Sequence, residues 1–329
     1  MDFSMLKTAI LNAKLISIVT HKNPDGDAIG SSLGLANLLK KQGINTKVII
    51  PNAFPDFLNW MEGVNDILDW EKSTIKSNDL LSSSDVIFCL DFNASHRIGG
   101  VEKAVLNSSA TKVMIDHHLE PEGFCDYILS NTSASSTAEL VHQFICELGF
   151  QNDIDQSIGE PLYCGIMTDT GSFKFPSTTG NTHDVVSDLI KRGTDNSKVH
   201  QLVYDSSSIA RLKLIGHCLN EMEILSDIVT IFTLSQATHE SLHLKKGDNE
   251  GIVNYGLSIK SVQVSAFFRE DTDIIKISFR SKGDIDVNLF ARTYFNGGGH
   301  KNAAGGVSEE NLENTVKYFK DSITTFLND

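Results

Sequence analysis

Basic residues are scarce in this chain. Its 28 lysines and arginines stand against 42 aspartates and glutamates, a formal charge of −14. Long nucleic acids are gripped by a basic face that neutralises many phosphates, so this balance argues against binding a long duplex. A small anion stays within reach if metal ions or a local basic patch reverse the sign in one cleft. Long apolar runs are missing as well. No stretch is apolar over the roughly 20 residues that a membrane helix needs, so no membrane partner is expected. The opening "MDFSMLKTAILNAK" carries Asp, Lys and Asn where a signal peptide needs an apolar core. Cysteine is sparse: Cys89, Cys125, Cys146, Cys164 and Cys218 are odd in number and none forms a C-x-x-C pair. That disfavours a disulfide framework or a zinc ribbon and reads as reduced thiols in the cytoplasm. There is no internal repeat and no low-complexity tract.

What is present is ordinary globular material, 40% apolar and 21% charged over 329 residues, which exceeds one typical core and predicts two domains. In the first half, short apolar runs at 15–20, 47–51, 85–91 and 112–116 alternate with helical patterns. Ile29, Leu33, Ala36 and Leu39 mark a helix over 27–42 ended by Gly43, and 136–150 is another, closed by Gly149. Strand–helix alternation predicts an α/β fold with a doubly wound, mainly parallel sheet. Such sheets bind ligands outside the carboxyl ends of their strands. The second half changes character. An amphipathic helix is expected over 206–225, with a stripe of Ile209, Leu212, Ile215 and Leu219. Strand-like runs follow at 228–234, 261–270 and 273–281, then a helix at 286–295, the glycine-rich "NGGGHKNAAGG" and a last helix over about 308–327. This predicts a smaller α+β domain, with domains at 1–200 and 201–329.

The strand ends carry an unusual load. The first delivers His21, Asp25 and Asp27, the third Asp91, and the fourth Asp116, His117 and His118; Asp169 sits near the end of another apolar stretch. Each aspartate alone reads as a turn residue or helix cap. Together, carboxylates from four places converging on one crevice would repel one another without compensation. A mixed carboxylate and imidazole set suits Mn²⁺, Fe²⁺ or Co²⁺, whereas Mg²⁺ prefers oxygen and water. So many ligands exceed what one ion with an open position can use. Two divalent ions bridged by a carboxylate balance four ionised aspartates and can act on a phosphoryl group from roughly 3.5–4 Å apart.

Four segments, "HKNPDGDAIGSSLGL", "LDFNASHRIG", "IDHHLEP" and "IMTDTGSFKF", occur in the order of the four motifs of the DHH phosphoesterase superfamily, which this chain resembles. "ISFRSKGDIDVNLFARTYFNGGGHKNAAGG" is similar to the DHH-associated C-terminal domain with its GGGH loop. The resemblance covers nearly the whole chain. It implies His21 and Asp25 on a first metal, Asp27, His117 and Asp169 on a second, and Asp91 bridging both. It implies Asp116 orienting a histidine, His118 facing the scissile phosphate, and Arg97 in a structural or phosphate-facing role. Arg280, the Gly297, Gly298 and Gly299 backbone and His300 are implied to bind the far end of a nucleotide, with the active site in the cleft between the domains. His96 is read as an exposed loop residue, and His183, His200 and His217 as surface or packed residues. Phe173, Tyr294 and Phe295 suit base stacking or packing alike.

The overall pattern is similar to stand-alone oligoribonucleases of the nanoRNase type that also dephosphorylate 3′-phosphoadenosine 5′-phosphate. It implies a hydrolase with two divalent ions, Mn²⁺ foremost and Mg²⁺ or Co²⁺ as alternatives. The implied substrates are short single-stranded RNA or DNA, linear dinucleotides and that bisphosphate. A homodimer is a further expectation. Open alternatives are a cyclic or linear dinucleotide phosphodiesterase, an exopolyphosphatase, a family-two pyrophosphatase, and a nucleotide sensor without turnover.

Overall fold

The computed structural model of the chain describes residues 3–245 and 247–328. It divides into two compact units, Met1–Ser206 and Ser207–Asp329. In chain order the first unit holds α1 (Phe3–Asn12), β1 (Ile16–Thr20), α2 (Gly26–Lys41), β2 (Thr46–Ile50), β3 (Leu68–Asp69), α3 (Trp70–Ser83) and β4 (Val86–Leu90). It continues with α4 (Glu102–Asn107), β5 (Thr111–Asp116), β6 (Tyr127–Ser130), α5 (Thr137–Glu147), α6 (Gln156–Asp169), α7 (Gly180–Lys191) and α8 (Asn196–Tyr204).

All six strands run parallel in the order β3-β2-β1-β4-β5-β6. The order reverses between β1 and β4, the switch point where such sheets open a crevice. Alternation along each strand feeds two cores. Ile16, Ile18, Phe88, Leu90, Val113 and Ile115 face one, against α2, α5 and α6. Val19, Ile87, Cys89 and Met114 face the other, against α3 and α4. Burial on both faces is why these strands read as unbroken apolar runs. The edge strands β3 and β6 are short and only partly buried, so no apolar run announced them.

Helix α2 lies against α6 through Gly26, Gly30 and Gly34. A Cβ on Gly30 would stand 2.3 Å from the Pro161 carbonyl oxygen, and one on Gly165 would stand 2.7 Å from the Ala138 Cβ and 2.8 Å from Asp27 Oδ1. This close crossing carries Asp27 at the start of α2 toward Asp169 at the end of α6.

The second unit holds α9 (Ile209–Asn220), β7 (Glu223–Leu225), β8 (Val229–Leu234), α10 (Gln236–Ser241), α11 (Ile252–Gly256), β9 (Val264–Glu270) and β10 (Ile275–Ser281). Then come α12 (Val287–Tyr294), β11 (Gly298–His300), β12 (Ala303–Ser308) and α13 (Leu312–Asn328). Its sheet, ordered β11-β12-β10-β9-β8-β7, is antiparallel except for the β8–β9 pair. Phe268, Phe279, Phe290, Phe295 and Phe319 form an aromatic core on it. Phe295 is buried there, and Tyr294 packs on Phe290 with ring centroids 5.0 Å apart, so both residues are structural in this arrangement.

Two expectations for this unit are corrected. The helix expected over 206–225 stops at Asn220 and gives way to β7, which turns into β8 through Ser226 and Asp227, both at positive φ. A tight turn whose two central residues are at positive φ usually announces itself with Asn-Gly or Asp-Gly; Ser-Asp concealed it. The buried face of α9 is Leu214 and Cys218 with Ala210 beside them, while Ile209, Leu212 and Leu219 are exposed. Both rows satisfy a helical period, and the larger side chains pointed to the wrong one. Within the glycine-rich segment, Gly298–His300 pairs with β12 as a strand. Its glycines permit close backbone packing, since a Cβ on Gly297 would stand 1.9 Å from the Gly305 oxygen. No helix among the described residues is long and apolar enough to cross a membrane, and all five cysteines are free thiols.

Candidate metal centre

Strand register builds the site. Thr20 lies opposite Leu90, and Leu90 opposite Ile115. The next residue on each strand is His21, Asp91 and Asp116, so three neighbouring strands release their polar side chains at one level. Asp91 turns away from the sheet with φ +66. That left-handed backbone is uncommon outside glycine, and Asp and Asn tolerate it best.

His21 Nε2 lies 3.3 Å from Asp91 Oδ2 and 3.8 Å from Asp25 Oδ1. On the other side of the same carboxylate, His117 Nε2 lies 3.7 Å from Asp91 Oδ1 and 3.5 Å from Asp169 Oδ2. Two donor triplets result, His21–Asp25–Asp91 and Asp27–His117–Asp169. Asp25 also caps α2, accepting from the backbone N–H groups of Asp27 and Ala28, so the cap reading holds for it beside its place in the first triplet. Asp27 is 2% exposed and accepts from the N–H of Thr137 at 2.6 Å and of Ala138 at 2.8 Å. Asp116, fully buried, accepts from the Nδ1–H of His118 at 2.7 Å.

The buried charges of these side chains perturb one another. Burial opposes a charged His21, but its contacts with Asp25 and Asp91 outweigh that and hold the imidazole well above its ordinary range. Burial, then the charges of Asp91 and Asp169, push Asp27 well up despite its two backbone donors. Asp91 is buried too, yet His21 and the other imidazoles drive it down. The donor set suits divalent ions. The Nδ1 of His21 faces the Lys22 carbonyl at 2.9 Å and that of His117 faces the Ala134 carbonyl at 3.4 Å. A carbonyl only accepts, so each Nδ1 carries a proton, and Nε2, which faces the aspartates, is the nitrogen that would bind an ion once its own proton is displaced.

Other residues singled out in the sequence lie as follows. Arg97 donates from Nη1 to Asn93 Oδ1 at 3.3 Å, and its carbonyl accepts from the Lys22 N–H at 2.8 Å, tying the β4 turn to the His21 loop. His96 is exposed. Phe173 packs against Tyr163 and His183 with centroids 5.9 and 5.7 Å apart. In the second unit, Arg280 pairs with Ala303, which pairs with His300. Arg280 and His300 therefore share one rung and one face of the sheet with a small residue between them. Sequence reading missed Thr137. Its one signal was the Ser136–Glu139 spacing, a capping-box pattern that reads as helix architecture alone.

Comparison with known proteins agrees with this architecture. The DHH family, N-terminal domain, matches residues 15–166, and the DHHA1 domain matches residues 234–327. The "Bifunctional oligoribonuclease and PAP phosphatase NrnA" of Thermus thermophilus is 31% identical over 88% of this chain and 83% of its own. The Bacillus subtilis protein of the same name is 26% identical over 93% of this chain and 92% of its own. The crystal structure of an exopolyphosphatase-related protein from Bacteroides fragilis matches with a TM-score of 0.95 at 42% identity, covering 98% of this chain and 95% of that one. The chain belongs to the DHH family.

Proposed function

We propose that this chain hydrolyses very short oligonucleotides and linear dinucleotides to mononucleotides and converts 3′-phosphoadenosine 5′-phosphate to AMP. Its reaction class, hydrolysis of phosphoester bonds, is that of its named relatives. The observation that carries the reading is that Asp91, a member of the His21–Asp25–Asp91 triplet, also lies 3.7 Å from His117 of the Asp27–His117–Asp169 triplet, at the switch point of the sheet. We assign His21 and Asp25 to one divalent ion, Asp27, His117 and Asp169 to a second, and Asp91 to both, with Mn²⁺ the best match to mixed nitrogen and oxygen donors. Such ions would acidify an attacking water and polarise a phosphoryl oxygen.

The chain's own residues hold and orient. Asp116 fixes the His118 ring by accepting its Nδ1–H, and we assign the other ring nitrogen to the scissile phosphate, where it meets charge developing on oxygen. Arg280 and His300, with the Gly297–Gly299 backbone, are assigned to the far phosphate or base of the substrate, the planar guanidinium suiting an anion. Arg97 is assigned to holding the turn beside His21. An acidic chain suits substrates with few phosphates to neutralise. The five free thiols suit a reducing compartment, and we place the protein in the cytoplasm. The two activities in the names of the NrnA relatives favour this substrate pair; the Bacteroides fragilis neighbour keeps polyphosphate as the second reading.

Turnover with Mn²⁺ on a diribonucleotide, a long RNA, 3′-phosphoadenosine 5′-phosphate, a cyclic dinucleotide, pyrophosphate and polyphosphate tests it. The dinucleotide and the bisphosphate are expected to lead. Faster polyphosphate or pyrophosphate hydrolysis, equal activity on long RNA, or nucleotide binding without turnover in any divalent metal would each replace this reading.

A further inference from the structure

We infer that Thr137 is a positioning residue that decides how Asp91 is shared, one carboxylate oxygen to each ion. The backbone of Asp91, at φ +66, fixes the direction of its Cα–Cβ bond. Rotation about that bond is confined to staggered wells, and the softer freedom is rotation of the carboxylate about Cβ–Cγ, a broad and weakly restrained torsion. Thr137 restrains it. Its hydroxyl donates to Asp91 Oδ1 at 2.9 Å and occupies one lone pair of that oxygen. The other side of Oδ1 faces His117 Nε2 at 3.7 Å, and Oδ2 is left to face His21 Nε2 at 3.3 Å. Each triplet therefore receives its own oxygen. A carboxylate free to turn can offer both oxygens to one ion and abandon the other.

The same residue grips the second triplet. Thr137 is the first residue of α5, and its N–H, which has no partner inside a helix, donates to Asp27 Oδ2 at 2.6 Å. One side chain and its own backbone thus register Asp91 and Asp27 against each other. The anchor is rigid. Ser136 caps the helix, and the buried Glu139 accepts from Ser135, Asn181 and Thr182, pinning the segment before α5.

This inference rests on the two-ion reading of the site and is independent of the substrate. Its test is Mn²⁺ calorimetry and electron paramagnetic resonance, without substrate, on wild type, Thr137→Val and Thr137→Ser, with metal-free melts to establish folding. Wild type and Thr137→Ser are expected to bind two Mn²⁺ per chain and give the spectrum of an exchange-coupled pair. Thr137→Val, which keeps the shape and the N–H, is expected to bind the second Mn²⁺ about 10–100-fold more weakly and give the spectrum of an isolated ion. Thr137→Ala carries the comparison if the valine variant does not fold. A coupled pair of unchanged affinity in the hydroxyl-free variant, or loss of the pair in Thr137→Ser, overturns the role of the hydroxyl alone. Fewer than two Mn²⁺ in wild type overturns the two-ion reading with it.

Discussion

His21 Nε2 and Asp91 Oδ2 lie 3.3 Å apart at the ends of adjacent parallel strands, held there by the register that sets Thr20 opposite Leu90. Because Asp91 touches both triplets, its replacement should cost more than that of any residue outside them. Asp91→Asn suits the left-handed backbone and removes one anionic oxygen. Turnover is expected to fall at least about 1000-fold with the fold retained. His96→Ala, changing an exposed side chain, is expected to stay within about twofold. Steady-state kinetics with circular dichroism decides both.

The raised groups make the metal-free protein sensitive to alkali. The folded chain holds protons on His21 and His117 above the ordinary imidazole value of 6.5, and on Asp27 above the ordinary 3.8. The unfolded chain releases those protons at lower pH, so their contribution to stability is present below the unfolded values and is lost as pH rises through the folded ones. The melting temperature of EDTA-treated protein is expected to fall as pH rises above the ordinary imidazole value of 6.5. Mn²⁺ displaces the same protons, so the stabilisation it adds should grow over that range. Melts that rise with pH, with or without Mn²⁺ gaining effect, would contradict this.

Gly30 faces α6 with no room for a side chain. Gly30→Ala is expected to cost about 1–3 kcal/mol, a fall in melting temperature of roughly 2–12 °C for a unit of this size. Gly43, beyond the end of α2, has φ +79 and open space at its Cβ; there the cost of alanine comes from the backbone and not from crowding. Metal affinity should suffer in the Gly30 variant and not in the Gly43 variant, because Gly30 sits on the crossing that approximates Asp27 and Asp169.

Arg280 and His300 are assigned to substrate binding and not to chemistry. Arg280→Ala is expected to raise KM for a dinucleotide about tenfold with little change in kcat, the pattern of a contact made equally in ground and transition states. A fall in kcat at unchanged KM would move Arg280 into the reacting centre.

The candidate site was legible because its chemistry is local. A buried strand ending in His-x-x-x-Asp or Asp-His-His announces itself without knowledge of its neighbours, and the strand-end rule supplies the crevice. The contacts that hold those groups are not local. Thr137 reads as the second residue of a capping box until Asp91 and Asp27 are seen against it. Gly26, Gly30 and Gly34 read as small residues in a helix until α6 crosses them. In the second unit, aliphatic size misassigned the buried face of α9, and Ser226–Asp227 hid a hairpin that Asn-Gly would have declared. The glycine-rich segment was legible as special. Its pairing as an edge strand, which sets Arg280 and His300 on one rung, depends on β10 and β12.

The central claim is that two divalent ions sit on opposite oxygens of Asp91. Anomalous scattering at the manganese edge from crystals grown with Mn²⁺ tests it most directly. The expected result is two peaks roughly 3.5–4 Å apart, one beside His21 and Asp25, the other beside Asp27, His117 and Asp169. A single peak, or peaks away from Asp91, would contradict it.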